Sequence, residues 1–210
     1  MKDIEIFLQD AISELAGFKM KETHANSIVN SATVSECLEL SRKLLVDERY
    51  QVRELAVFIL GNIAVNSSEA LEILKVSVSK DSNWRVQEIL AKAFDRFCSE
   101  NGYEASLPTI MDWLANDNPN TRRAVTEGLR IWTNRDYFKT NQNVAIRILS
   151  NLRFDVSEYV RKSVGNALRD IGKKYPDLLR NEFENWVLIE KEEKQVYDLA
   201  SKFITKEKTI

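Results

Sequence analysis

Apolar residues along this chain recur every three or four positions far more often than every two. Leu55, Phe58, Ile59 and Ile63 form one such stripe, and Val86, Leu90, Ala93 and Phe97 form another. That spacing places the apolar side chains on one face of an α-helix. Almost no segment alternates as a strand would, so the pattern predicts an all-α fold. A further apolar segment precedes each stripe: 33–46 (Val34, Cys37, Leu38, Leu40, Leu44, Leu45), 67–79 (Ala70, Leu71, Ile73, Leu74, Val76), 103–116 with Pro108 inside, and 140–152 (Val144, Ile146, Ile148, Leu149). Helices are therefore expected in consecutive pairs, with second members over 82–100, 119–133 and 156–174. Pro176 suits the first turn of a helix and disfavours helix before it. It predicts a last pair over roughly 177–190 and 193–204. At the start, 3–16 reads as a helix and 17–32 as a linker or a broken pair.

The pairs carry a recurring signature. Asp47, Asp81, Asp117 and Asp155 lie 34, 36 and 38 residues apart, each six residues before Arg53, Gln87, Arg123 and Arg161 in turn. That period is in the range of two-helix solenoid repeats, and the unit resembles a HEAT repeat. Each Asp is expected to end the turn between two helices and to cap the second by accepting from backbone N–H groups. The Arg that follows is expected to reach the neighbouring unit's acid. The expected architecture is a HEAT-like α-solenoid of antiparallel helix pairs. It forms one domain over 1–210, with units near 33–65, 67–100, 103–133, 140–174 and 177–204.

Composition narrows the class. With 44% apolar and 30% charged residues, 6 Gly and 3 Pro in 210, the chain is neither disordered nor fibrous and can bury a core of its own. Cys37 and Cys98 lie far apart, and the opening MKDIEIFLQD lacks the basic start and apolar run of a signal peptide. A cytoplasmic protein with reduced thiols is expected. The longest apolar run, 55–60, is far short of the roughly 20 residues a spanning helix needs, so no membrane segment is expected. The single histidine, His24, in the polar stretch 21–26, is expected at the surface. It argues against a metal site or a hydrolytic triad, which leaves carboxylates to carry any catalysis.

The net charge of −2 conceals an uneven distribution. Residues 117–180 hold thirteen basic against seven acidic residues, while 1–116 are acidic by six. In a solenoid the second helices line one face. Basic residues there, among them Arg122, Arg123, Arg130, Arg161 and Lys162, would form a patch able to contact phosphates. The plainer alternative is that Arg53, Arg123 and Arg161 serve only the contacts between repeats. Three pairs also stand four residues apart on second helices: Trp84 with Glu88, Arg123 with Glu127, and Asn166 with Asp170. Each pair shares a helix face. Trp84 can equally be a core residue, and Glu88 can simply pair with Lys92. Trp113, Trp132 and Trp186 lie on apolar faces and read as core.

The strings 83–88 (Asn-Trp-Arg-Val-Gln-Glu), 122–130 (Arg-Arg-Ala-Val-Thr-Glu-Gly-Leu-Arg) and 159–177 carry a more specific likeness. They resemble the HEAT-like alkylpurine DNA glycosylases of bacterial DNA alkylation repair, the AlkC and AlkD proteins, and the likeness runs over most of the chain. For the AlkD branch it implies an aromatic, a carboxylate four residues on, an arginine in the next repeat and a second aromatic in the one after. Trp84 matches the first aromatic, Glu88 stands where that branch has Asp, Arg123 matches the arginine, and Asn166 stands where that branch has Trp. In Glu127 and Asp170 the chain resembles the AlkC branch, which uses acids in its pocket.

The resemblance implies an enzyme that hydrolyses the glycosidic bond of cationic 3- or 7-alkylated purines in double-stranded DNA. Glu88, Asp170 and Glu127 would be its catalytic acids. Trp84 would pack on sugar or base, and Arg123, with Arg122, Arg130, Asn166, Arg161 and Lys162, would contact DNA. No cofactor or metal and no membrane are expected, and the protein is expected to be a monomer. A cationic alkylpurine is already a good leaving group, so hydrolysis needs mainly stabilisation of the sugar cation and a placed water, both within reach of a carboxylate. Two other functions stand beside it: a noncatalytic DNA-binding protein, suggested by Glu88 and Asn166, and a protein-interaction scaffold, a common use of HEAT repeats.

Overall fold

The computed structural model describes residues 17–204, which are helical, with no strand among them. They fall into two compact units, one reaching Asn101 and the other beginning at Gly102. The expected helix at 3–16 lies outside the described residues.

The first unit contains α1 (Phe18–Ser31), α2 (Val34–Leu45), α3 (Tyr50–Ile63), α4 (Ser68–Val76) and α5 (Trp84–Asn101). Helix α1 corrects the reading of 17–32 as a linker. Its composition is polar because it buries only Lys21, Ala25 and Ile28, too narrow a stripe to register as hydrophobic periodicity. Helix α2 starts at a capping box, in which the Thr33 hydroxyl accepts from the Glu36 N–H and the Glu36 carboxylate accepts from the Thr33 N–H. The centre of the unit is α3, buried from Glu54 through Ile63 and packed against α1, α2 and α5. Its Gly61 allows the approach of α5, since a Cβ there would lie 2.7 Å from the Ala93 Cβ. Helix α5 ends at Gly102, whose φ of +88° suits a residue without a side chain.

The second unit contains α6 (Leu107–Leu114), α7 (Pro119–Gly128), the short α8 (Asp136–Thr140), α9 (Gln142–Ser150), α10 (Glu158–Gly172), α11 (Pro176–Phe183) and α12 (Lys191–Ala200). Helix α10 is its centre and packs on α7 and α12. Gly165 plays the part of Gly61, since a Cβ there would lie 2.7 Å from the Leu199 Cβ. Pro176 opens α11 as expected. Helix α7 stops well before the expected 133, because other groups take its terminal carbonyls: the Trp132 indole donates to the Thr126 carbonyl (3.2 Å), and Arg135 Nη2 donates to those of Gly128 and Arg130 (3.2 Å each). Trp113, Trp132 and Trp186 are buried, and Trp84 is not.

The repeat signature has a physical cause, and it corrects the register of the third unit. Asp47 Oδ1 accepts from the Arg49 N–H (2.8 Å), Asp81 Oδ1 from Asn83 (2.8 Å) and Asp155 Oδ1 from Ser157 (2.8 Å). In the third repeat Asn116, not Asp117, accepts from Asn118 (2.9 Å). Each is a turn closed two residues on, at the residue that precedes the helix, rather than a cap of the helix itself. Six residues later a side chain donates back to the carbonyl of the turn residue: Arg53 (2.9 Å), Gln87 (2.7 Å), Arg122 (2.8 Å) and Arg161 (2.6 Å). The same side chains reach forward. Arg53 Nε donates to Asp81 (2.6 Å), Arg122 Nε to Asp155 (2.6 Å) and Arg161 Nε to the Gln195 amide oxygen (2.8 Å). The contact between repeats therefore belongs to Arg122, and the position given to Arg123 from sequence is shifted by one residue.

Candidate nucleic-acid interface

Counted from the corrected turn residues, the three pairs fall into order. Glu54, Glu88, Arg123 and Lys162 each stand seven residues after their turn residue, and Glu127 and Asn166 each stand eleven after theirs. Glu88 and Arg123 therefore share one repeat position, four residues past the first residue of the second helix. The four residues at that position have different environments. Glu54 is fully buried and ion-paired to the buried Lys21 of α1. Glu88 is half-buried, and Lys162 is exposed and paired to Glu158 (2.7 Å). Arg123 is 7% exposed and lies over the Tyr159 ring, 4.3 Å from its centroid.

In the first unit Trp84 opens α5 and is 60% exposed, too open for a core tryptophan. Glu88 follows one turn later on the same face. The Arg85 guanidinium sits between two rings, 5.1 Å from the Trp84 centroid and 5.7 Å from that of Tyr50 at the start of α3. On the other side of Glu88 along α5, the Lys92 ammonium lies 6.0 Å over the Phe18 ring of α1. This end of the first unit thus presents a carboxylate among aromatic rings and cations.

In the second unit the other two carboxylates come together on one arginine. Arg130 Nε donates to Asp170 Oδ2 (2.7 Å) and Nη1 to Glu127 Oε1 (2.9 Å). The second Glu127 oxygen accepts from the Ser163 hydroxyl (2.8 Å), which itself accepts from Thr126 (2.8 Å). The second Asp170 oxygen accepts from Lys173 (3.2 Å). Burial raises the Asp170 pKa, but the hydrogen bonds from Arg130 and Lys173 outweigh it and hold the carboxyl below its ordinary value. Burial likewise disfavours the Arg130 charge, and the bonds to Asp170 and Glu127 overcome that and raise its pKa. Asn166 is half-buried one turn before Asp170.

Several basic residues of 117–180 are committed within the protein. Arg122 and Arg161 serve the repeat contacts, Arg130 holds two acids, and Arg153 pairs with Glu193 (2.8 Å). Asp155, Glu127 and Asp170 are among the seven acids already counted there, so of these pairs only Arg153–Glu193 reduces the surplus. Arg147 and Lys174 remain exposed. Among the described residues no group of three or more His, Cys, Asp or Glu is placed to hold a metal ion, and no helix is long and apolar enough to cross a membrane. Cys37 and Cys98 are buried and not in a disulfide, and His24 is half-buried on α1. Sequence reasoning missed Tyr50, Arg85 and Ser163. Tyr50 was recoverable, since it stands three residues after Asp47 as Trp84 does after Asp81.

Residues 16–202 match the family model described as DNA alkylation repair enzyme. The fold superposes on the X-ray crystal structure of AlkD2 from Streptococcus mutans with a TM-score of 0.92 and 51% identity, over 98% of each chain. It also resembles the Pseudomonas fluorescens alkylpurine DNA glycosylase AlkC bound to DNA containing an abasic site analog. There the TM-score is 0.71, over 93% of this chain and 56% of that one, and at 21% identity the likeness is one of fold. Over 87 residues the chain is 36% identical to an uncharacterized protein, YhaZ, of Bacillus subtilis (strain 168); the match takes in 40% of this chain and only 24% of that protein. With nearly its whole length matched, the chain has an all-α HEAT-like repeat fold and belongs to the DNA alkylation repair enzyme family.

Proposed function

We propose that this protein hydrolyses the N-glycosidic bond of cationic 3- or 7-alkylpurines in double-stranded DNA, with Glu88 as the carboxylate that faces the sugar. One observation carries the reading: Trp84, exposed at the head of α5, and Glu88, one turn on along the same face, form an aromatic and carboxylate pair at the surface. As the bond from C1′ to the purine nitrogen breaks, both its electrons go to the alkylated base, which leaves neutral. The sugar is left as an oxocarbenium ion. A carboxylate at that face stabilises the cation and accepts a proton from the water that adds to C1′. Trp84 supplies the apolar surface on which the deoxyribose or base packs. No other reactant is needed, and the chemistry suits a chain with carboxylates but one histidine. Arg123 and Lys162, at the repeat position of Glu88, are the residues of the second unit that this reading directs to the DNA backbone.

Glu127 and Asp170 hold Arg130 in this account, and their role at the DNA is to keep that part of the surface fixed. A second reading is favoured by the same observation. Their oxygens accept from Arg130, Ser163 and Lys173, so every carboxylate oxygen of two of the three acids implied by the resemblance is already engaged, as suits a protein that binds DNA without cutting the bond. Release of free base from DNA carrying 3-methyladenine and 7-methylguanine separates the readings. The first expects release by the wild type and its loss in Glu88→Gln. Salt-sensitive DNA binding with no release from either lesion would replace it with the second, and no binding even at low salt would point to a scaffold.

A further inference from the structure

The arginines of the described residues are mostly committed to oxygen acceptors. Arg53, Arg122, Arg130 and Arg153 pair with carboxylates, and Arg161 donates to Gln195 and to backbone carbonyls. Arg85 differs. Its backbone N–H donates to Asn83 Oδ1 (2.9 Å), and its side chain has two ring partners, Trp84 at 5.1 Å and Tyr50 at 5.7 Å. A guanidinium over ring faces is held through its π surface, and its five N–H donors point outward in the plane. The second unit provides the contrasting case. Arg153 is also stacked between two rings, 4.5 Å from Phe154 and 5.3 Å from Trp186, but its Nε donates to Glu193 and its Nη1 to the Ser150 carbonyl. The same aromatic arrangement is closed by an internal acid at Arg153, whereas Arg85 is exposed and, among the described residues, no acid closes it.

We infer that Arg85, held between Tyr50 and Trp84, binds a phosphodiester of the DNA backbone next to the nucleotide that meets Trp84 and Glu88. The inference rests on the DNA-repair reading above. Two oxygens of a phosphate match the planar fork of a guanidinium. The stacking fixes the plane of the fork before DNA arrives, so less side-chain freedom is lost on binding. Because Arg85 adjoins Trp84 in sequence and stacks on it, the phosphate contact would set where the sugar lies relative to Glu88. Tyr50 would be a positioning residue, acting through Arg85.

Binding of a fluorescent duplex carrying a tetrahydrofuran abasic-site analog, measured across a salt series, tests this. Loss of one phosphate contact lowers the slope of log K against log salt by about 0.9. Arg85→Gln is expected to show that change and to bind several-fold more weakly. Arg85→Lys is expected to keep the slope while losing affinity, since an ammonium cannot present the fork. Tyr50→Leu is expected to weaken binding with the slope intact, a result that a purely electrostatic role for Arg85 would not produce. An Arg85→Gln protein with wild-type melting, affinity and slope would overturn the inference and leave the DNA-repair reading standing. Failure of the wild type to bind the duplex at low salt would overturn both.

Discussion

The head of α5 and the Arg130 cluster use the same kinds of residue to opposite effect. In the cluster, one guanidinium binds Asp170 and Glu127, a hydroxyl takes another oxygen and Lys173 a further one, so positive and negative charges satisfy each other inside the protein. At the head of α5, Arg85 is held by rings, Trp84 is open to solvent and Glu88 is half-buried. A charge that is neutralised locally stabilises the fold and has little attraction left for a ligand. A charge held by an aromatic ring keeps its field and its donors. The difference teaches that residue type and helical register do not by themselves distinguish a binding group from a structural one; the partner does.

The sharpest way to break this comparison is to remove Arg130. Arg130→Ala leaves Asp170, with a side chain only 9% exposed, and Glu127 without their shared cation. With Asp170 left to Lys173 and Glu127 to the Ser163 hydroxyl, unfolding stability is expected to fall by about 2–4 kcal/mol in denaturant titration. A loss below about 0.5 kcal/mol would show that the cluster is not structural. Glu88→Gln should do the reverse: base release falls by roughly 100-fold, equivalent to about 2.7 kcal/mol of barrier, while the denaturant midpoint hardly moves.

Asp170→Asn probes the cluster through pH. The folded-state pKa of Asp170 lies below its ordinary value, so its ionised form contributes stability above about pH 4. That contribution is lost as the pH falls through the lower, folded-state value. Melting temperature in the wild type should therefore drop on acidification from pH 5 downward, and Asp170→Asn, already less stable at neutral pH, should show a flatter profile. The slope should not vanish, because Asp47, held to about 2 first by the side-chain and then by the backbone hydrogen bond from Arg49, titrates in the same direction. Equal slopes in variant and wild type would remove Asp170 from the acid response.

Smaller effects separate the two stacked arginines. Arg153→Gln, which leaves Glu193, with its 3% exposed side chain, its Leu188 N–H bond but not its cation, should cost about 1–3 kcal/mol. Arg85→Gln should stay within about 0.5 kcal/mol, although its DNA binding changes. Smallest of all, Lys162→Ala removes an exposed pair with Glu158 and should leave the denaturant midpoint where it is. A large loss at Arg85, or none at Arg153, would erase the contrast between them.

Much of the fold was legible in the sequence because helix periodicity and turn chemistry act over a few residues. Pairs α2 with α3, α4 with α5, and α9 with α10 lie where apolar spacing put them, and Pro176 marks a real helix start. Helix α1 was not legible, since what holds it is a buried Lys21–Glu54 ion pair together with Ala25 and Ile28, and lysine in a sequence reads as surface. The third repeat slipped by one residue because Asn116 and Asp117 are adjacent and either can close the turn. The Asn118 N–H on Asn116 Oδ1, with Arg122 donating to the Asn116 carbonyl six residues back, reveals which does. At the site, helical spacing paired Trp84 with Glu88. It could not show that Arg130, drawn from the same string as Glu127, reaches Asp170 forty residues away, nor that Tyr50 stacks on Arg85. Those contacts depend on tertiary packing between helices, which short-range pattern does not encode.

The most direct test of the account compares Glu88→Gln with Asp170→Asn in single-turnover release of 3-methyladenine and 7-methylguanine, at a temperature where both variants are folded. The account predicts release by the wild type, its loss by roughly 100-fold in Glu88→Gln, and retention within a few-fold in Asp170→Asn. Release that survives Glu88→Gln and disappears in Asp170→Asn would place the chemistry on the Arg130 cluster and contradict it.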